Sequence, residues 1–443
     1  MIVGTGISGI AAVKLLMKEN AKKIILFDGN EKALVNEIRK KLPESFAGDI
    51  VVGELPADLS DIDIAILSPG VPTDIPMVDT LRRNGIKIWG ELELGYKTAK
   101  GELVAITGTN GKTTTTSLVG EIMKEQYEST FVVGNIGLPY TEYSHEMIDE
   151  SITVAEVSSF QLETIEDFKP KVSAILNITP DHLNRHHTME NYIAAKFDIT
   201  ANQDENDICV LNYEDKLIRE KASEVKAKIF YFSSATELEE GVFLRGEDII
   251  YRENGEEINV CTIHDMKLLG MHNYENVMAA VAIAMHAGVP IDKIRHAIKE
   301  FNAVEHRIEF VREAYGVKYY NDSKGTNPDA AIKAVEAMIT PVVLIGGGYD
   351  KKSEYDEWIM SFKDKVKALV LIGETADKIK ETAFKYDFKN VYKVDSLEEA
   401  VAKSKELAES GWAVLLSPAC ASWDMFKSYE ERGKLFKDYV NAL

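Results

Sequence analysis

Thr107-Gly108-Thr109-Asn110-Gly111-Lys112-Thr113-Thr114 follows the apolar run Leu103-Val104-Ala105-Ile106 and precedes a helix-like segment. A strand, a glycine-bearing turn and a helix start make an anion cradle, because free backbone N–H groups and the helix dipole converge on one point. The spacing predicts that Lys112 reaches the β- and γ-phosphates and that the Thr113 hydroxyl sits on Mg2+, which makes the stretch an ATP site. A full G-x-x-x-x-G-K-[ST] pattern would carry glycine where Ile106 stands. The bland alternative is a surface turn with an incidental lysine; the strand before and the helix after favour the nucleotide.

Around this loop, β-rich runs alternate with helical stretches. Residues 1–96 carry runs at 24–27, 64–67 and 86–89, with helices expected at 10–18, 31–41 and 76–84. That alternation predicts a doubly wound parallel sheet of Rossmann type. Residues 97–302 form a second α/β unit around the phosphate loop, with runs at 152–157 and 172–178, an antiparallel hairpin about Asn254-Gly255, and amphipathic segments at 274–287 and 292–301. Residues 303–443 return to the alternation, with strands at 341–345, 368–372 and 413–416 and helices at 327–337 and 397–409. Three nucleotide-fold-like domains in series suit 443 residues at roughly 150 per domain.

The net charge of −21, from 51 basic and 72 acidic side chains, argues against nucleic acid or an anionic membrane as the main partner. Cys209, Cys261 and Cys420 are odd in number and far apart, which points to a reducing cytoplasm rather than a disulfide framework. No apolar run approaches the ~18 residues of a membrane span. The N-terminus enters a glycine turn directly, without the basic and apolar regions of a signal peptide. A first strand of two or three residues is short for the centre of a parallel sheet, which points to a start lacking a few residues of it.

Gly4-Thr5-Gly6-Ile7-Ser8-Gly9, with Asp28 ending the next strand, fits G-x-G-x-x-G. Alone it would support a dehydrogenase, with the glycines admitting a pyrophosphate and the acid binding a ribose; the same geometry suits any nucleotide diphosphate. Ser68-Pro69-Gly70 ends another strand and would line the same crevice, or simply turn the chain. In the middle unit, Asn135 lies in Gly134-Asn135-Ile136-Gly137, Glu156 ends an apolar run and Asp181-His182 follows another. An acid and a histidine beside a phosphate loop supply what Mg2+ and a polarised phosphate require, although each could be structural when taken singly. Lys196 falls one helical turn after Tyr192, where a solvated lysine is the ordinary expectation. The last unit carries His306-Arg307, the polar strand-to-helix junction 321–328, a glycine turn at 346–348 and the segment 416–426, whose alanine-rich setting makes Cys420 a packing residue.

Taken in order, GTNGKTT, GNIGLP, EVSSFQLE, NITPDHLNRH, GMHNYEN, EHRIEF, NDSKGTNP and SPACASWDMFKSYEERG span nearly the whole chain and resemble the Mur ligases. The resemblance implies an ATP-dependent amide ligase of peptidoglycan precursor synthesis. Its last two motifs point to D-glutamate, added to UDP-N-acetylmuramoyl-L-alanine through an acyl phosphate. Other Mur-type ligases and folylpolyglutamate ligases are the alternatives within the class; a dehydrogenase, or a binding protein using ATP without ligation, are those outside it.

By this resemblance, Ile7, Ser8, Gly9, Asp28, Ser68, Pro69, Gly70 and Asn135 bind the UDP-substrate. Gly108, Thr109, Asn110, Gly111, Lys112, Thr113, Thr114, Asn273, Asn276, Arg307 and Asp322 bind ATP. Lys324, Thr326, Ser422 and Tyr429 frame D-glutamate, joined by Lys351 from a variable version of the family's glycine loop. The resemblance also implies Lys112, Glu156, His182 and Lys196 as catalytic residues, two Mg2+ sites held by Thr113, Glu156, His182 and Lys196, and carbamylation of Lys196. A monomer is expected, with domain closure about a hinge at 301–305.

Overall fold

The computed structural model describes residues 1–302 and 305–443. Its contacts form two compact units, Met1–Asp265 with Glu275–Lys299, and Met266–Tyr274 with Glu300–Leu443. Ala303 and Val304, the middle of the expected hinge and the start of the expected third domain, lie outside the described residues.

The first unit contains two sheets. β1 (Ile2–Val3), β2 (Ile25–Asp28), β3 (Asp49–Val52), β4 (Ile64–Leu67) and β5 (Lys87–Gly90) lie in the order β3-β2-β1-β4-β5, all parallel. This is the Rossmann order, whose crevice opens where β1 and β4 diverge. β1 is central although only two residues long. β3 was not legible from the sequence, since its residues are at most half-buried and start with Asp49; the helix expected at 31–41 contracts to Val35–Arg39. Two apolar clusters sandwich the sheet, one built on Ile2, Val13, Leu26 and Ile66, the other on Val3, Phe27, Leu67 and Leu81.

The second sheet takes β6 (Glu102–Thr107), β7 (Thr130–Gly134), β8 (Ile152–Glu156), β9 (Val172–Ile175), β10 (Ile208–Asn212), β11 (Lys228–Ser233), β12 (Gly241–Arg245), β13 (Asp248–Glu253) and β14 (Glu256–Thr262). Their order is β14-β13-β12-β11-β10-β9-β6-β8-β7. β7 through β12 pair in parallel and the last three strands are an antiparallel meander, so the expected hairpin gains a third strand. Two buried carboxylates seat the helix Glu91–Thr98 against this domain. Glu93 accepts the backbone N–H groups of Glu166, Asp167 and Phe168 at 3.0, 2.9 and 3.1 Å, and Glu91 accepts the N–H and hydroxyl of Thr141, each at 2.7 Å. At ~1.5–3 kcal/mol per hydrogen bond to a charged group, three such bonds offset a desolvation cost of several kcal/mol.

The other unit holds β15 (Glu309–Ala314), β16 (Val317–Asn321), β17 (Val342–Gly346), β18 (Val366–Leu371), β19 (Val391–Lys393) and β20 (Ala413–Leu416) in the order β15-β16-β20-β17-β18-β19. All pairs are parallel except β15 with β16, an edge hairpin absent from the sequence expectation. Helices including Pro328–Ala337 and Leu397–Leu407 cover its faces.

Candidate active site

The loop after β6 turns at Gly108 (φ 152°) and Gly111 (φ 85°) into the helix Lys112–Lys124. Gly111 is required twice over: its backbone is left-handed, and a Cβ there would stand 2.2 Å from Asn276 Oδ1. Asn276, which also accepts from Thr115 Oγ1 at 3.3 Å, therefore backs the loop. Asn177, unassigned by sequence, braces the loop from β9's end: its Oδ1 accepts Asn110 N–H at 2.8 Å and its Nδ2 donates to Asn110 O at 3.0 Å. Thr109 Oγ1 lies 3.0 Å from the Tyr192 hydroxyl.

Lys112 Nζ curls back to the carbonyls of Gly108 and Thr109, at 2.8 and 2.9 Å. Lys196 is not the solvated lysine ordinarily expected of its position. It is 2% exposed, donates to Gly108 O at 2.8 Å and lies 4.7 Å from the centre of the Tyr192 ring. Burial, then the Lys112 charge, pushes its ammonium well below the usual lysine range, opposed by Asp181.

Glu156 ends β8 in register with Ile106 of β6 and Gly134 of β7. Its Oε1 accepts from Asn135 Nδ2 at 2.7 Å, while its buried Oε2 has no hydrogen-bond partner among the described residues. Thr114 Oγ1 is likewise buried and unpartnered. A buried anionic oxygen without a donor is costly, and a hard cation is the group that suits it. His182 occupies a left-handed backbone position (φ 53°) beside Asp181, its ring edge-on to Phe160 at 4.9 Å.

The glycine turn after β1 is equally constrained, since a Cβ on Gly9 would stand 1.9 Å from Gly4 O. The start of helix Ile7–Lys18 faces a cleft where Ile7, Ser8 and Pro69 meet Asn135, Glu91 and Gln161. Sequence reasoning missed Gln161, yet Ser158-Ser159-Phe160-Gln161 carries the S-x-x-Q pattern of the capping box that forms there. Ser68 packs its buried hydroxyl, without a hydrogen-bond partner among the described residues, toward Gly4 and Gly9. Asp28 accepts from Thr5 Oγ1 and from Asn30 N–H, so its carboxylate already has protein partners.

The remaining predicted residues belong to the other unit. Asn273 donates to Leu269 O at 2.7 Å. Arg307 Nε is buried with no hydrogen-bond partner among the described residues, and burial beside Arg307 lowers His272 to about 4. Asp322 accepts from Ser417 Oγ at 2.7 Å and from Ile308 N–H at 3.3 Å; burial raises its carboxyl to about 7. Lys324 lies over the Tyr429 ring at 5.7 Å, and Lys351 over Trp423, next to buried Ser422, at 5.2 Å. Thr326 follows this junction, half-buried, just before the helix Pro328–Ala337. Arg432, which sequence reasoning left unassigned, is fully buried and joins the two loops by donating to Ser323 O at 2.8 Å and Cys420 O at 3.2 Å. Cys420 is buried with Sγ 3.1 Å from the Tyr355 hydroxyl, consistent with packing.

A mostly parallel sheet with a phosphate loop, one buried and one half-buried lysine at that loop, and an acid at the neighbouring strand end suits a nucleotide-dependent ligase of the Mur type. Three family models agree: Mur ligase MurD-like, N-terminal domain over 1–90, Mur ligase middle domain over 106–284, and Mur ligase, glutamate ligase domain over 306–420. The chain belongs to the Mur ligase family. It is 58% identical to the UDP-N-acetylmuramoylalanine--D-glutamate ligase of Lachnoclostridium phytofermentans and 55% identical to that of Lachnospira eligens, covering all of this chain and 98% of each relative. Among solved structures, the UDP-N-acetylmuramate-alanine ligase MurC of Thermotoga maritima shares the fold at a TM-score of 0.62 and 19% identity, over 100% of this chain and 98% of that one. The MurF ligase of Thermotoga maritima in complex with ADP does so at 0.62 and 16%, over 95% of each chain.

Proposed function

We propose that this ligase adds D-glutamate to UDP-N-acetylmuramoyl-L-alanine, the ligation its full-length relatives are named for, and that it does so with conversion of ATP to ADP and phosphate. Residues 1–96 hold the UDP moiety, 97–302 hold ATP and 303–443 select the amino acid. The identity of 58% and 55% to two full-length ligases named for D-glutamate supports the choice of amino acid, and the set of Lys112, Lys196 and the Glu156 oxygen without a partner among the described residues, around one phosphate loop, supports the phosphoryl transfer.

A carboxylate is a poor electrophile because oxide would have to leave; transfer of the γ-phosphoryl group gives an acyl phosphate whose leaving group is phosphate. The phosphoryl transition state is loose and needs placed cations more than covalent help. Lys112 and the helix start at 111–113 orient the transferring group. Mg2+, two ions in this reading, would be held by Thr113, Glu156, His182 and carbamylated Lys196, and supplies charge neutralisation when bound. Carbamylation needs a neutral amine: the Lys196 nitrogen adds to the carbon of CO2 and loses a proton to solvent, leaving an anionic carbamate. The lowered basicity of Lys196 supports this. Asn273, Asn276, Arg307 and Asp322 complete the nucleotide site, and Lys324, Thr326, Lys351, Ser422 and Tyr429 bind the carboxylates of D-glutamate. The enzyme works as a cytoplasmic monomer, where nucleotide co-substrates occur and three free thiols persist.

The test is a panel of D- and L-amino acids offered with ATP and the UDP-linked acceptor, scored by mass spectrometry. A product heavier by one glutamyl residue, from D-glutamate only, is expected; no amide product with any amino acid would refute the reading.

A further inference from the structure

The loop after β4 carries Ser68, Pro69 and Gly70 of the candidate UDP-substrate cleft, and its next residues are held by the central domain. Arg185 donates through NH2 to Val71 O at 3.1 Å and to Glu163 Oε2 at 2.7 Å, and Thr73 Oγ1 reaches the same carboxylate oxygen at 3.3 Å. The Arg185 and Glu163 side chains are only 12% and 16% exposed, so solvent screens this pair weakly.

The same guanidinium lies 4.7 Å from the centre of the Phe160 ring. Phe160 meets the edge of His182 and lines a small cavity together with Ser68, Pro69 and Val71. One side chain thus touches both the substrate loop and the ring against which His182 rests. The intervening helix, Leu183–His186, has four residues and is flanked by His182 and His187, both at positive φ. So short a helix has little stability of its own, and side-chain contacts decide where His182 points.

We propose that Arg185 is a positioning residue that couples the UDP-substrate cleft to the metal position at His182. When substrate seats the loop at 68–71, Arg185 and Phe160 hold the segment 182–187 in its metal-binding orientation. This rests on the assignment of Ser68, Pro69 and Gly70 to the UDP-substrate and of His182 to the metal. Linkage requires each ligand to tighten the other by one common factor, typically ~5- to 150-fold.

The test uses the full-length enzyme, a non-hydrolysable ATP analogue and Mn2+ followed by electron paramagnetic resonance, with and without UDP-N-acetylmuramoyl-L-alanine. In the native protein the UDP-substrate should tighten Mn2+ binding by at least about fivefold. In Arg185→Ala that coupling should vanish, while calorimetry shows weaker binding of the UDP-substrate alone; Arg185→Lys should recover only part of the coupling, because it lacks the planar fork. Undiminished coupling in a folded Arg185→Ala overturns the proposal. If circular dichroism shows that variant unfolded, Thr73→Val, which removes one hydrogen bond to Glu163, must weaken the coupling, and unchanged coupling there overturns it equally. Failure of the native protein to bind the UDP-substrate at all refutes the site assignment, and the proposal with it.

Discussion

Lys112 and Lys196 donate to one oxygen: each ammonium nitrogen lies 2.8 Å from the carbonyl of Gly108. Burial, and after it the neighbouring Lys112 charge, disfavours the ammonium form of Lys196. Lys196→Ala should lower turnover by at least about 100-fold, the scale of a lost electrostatic contact in the transition state. Acetate should restore part of it by filling the vacated space with a carboxylate. Carbon-13 NMR on protein equilibrated with labelled bicarbonate should show a carbamate carbonyl in the native enzyme and none in the variant. Full activity in Lys196→Ala would sink the carbamate assignment.

Lys112→Ala should abolish ATP-dependent turnover and leave UDP-substrate binding within roughly twofold of native, since distant sites contribute independently. Calorimetry decides this. Equal loss of both would mean that the two nucleotides do not occupy separate sites.

Gly9→Ala places a methyl group 1.9 Å from the backbone oxygen of Gly4, where no side-chain rotation relieves the clash. The first turn of the Rossmann sheet must shift, at a cost of about 1–3 kcal/mol by analogy with overpacked cores. A lower thermal midpoint together with weakened UDP-substrate binding is expected. Native behaviour in both measurements would show that the turn is not packed as described.

Replacing the hydroxyls of Thr326 and Ser422 by alanine in one double variant should raise the KM for D-glutamate much more than the KM for ATP. Ser422 is buried, and donors in such a pocket favour a ligand that accepts from them. Steady-state kinetics with each substrate varied in turn provides the check; equal increases would assign the two residues to domain closure instead.

Asp322 supplies a pH test. Its carboxyl is raised from 3.8 to about 7 by burial, so the folded state keeps a proton that the unfolded chain releases. Its contribution to stability is fully present below about pH 4 and is lost as pH rises through about 7. The native midpoint minus that of Asp322→Asn should therefore fall across this interval and level off above it. A difference independent of pH, followed by circular dichroism, would contradict the buried acid.

Much of the site was legible because its signals are local. The glycines at 4, 108 and 111 sit between a strand and a helix with positive φ, and Gly9 falls in the first turn of the helix that follows Gly4, so the backbone conformations that call for them are set within a few residues. Strands that failed to announce themselves were those with mixed surroundings, such as Asp49–Val52 at a sheet edge and Glu309–Ala314 in the edge hairpin. Arg185 was invisible for another reason: its partners Val71 and Glu163 lie 114 and 22 residues away.

The sequence by itself determined the order of the domains, the phosphate loop and the glycine turn, because spacing along the chain dictates where backbone N–H groups gather at a helix start. Only the tertiary structure decided that Lys196 is buried beside Lys112, where desolvation disfavours its charge, that one oxygen of Glu156 is left without a donor among the described residues, and that Asp28 and Asp322 are engaged by protein groups. Those properties follow from desolvation and from neighbours brought in by sheet register. The Gly108 carbonyl meets Lys196 across 88 residues, and Glu156 stands opposite Ile106 across a parallel strand pair.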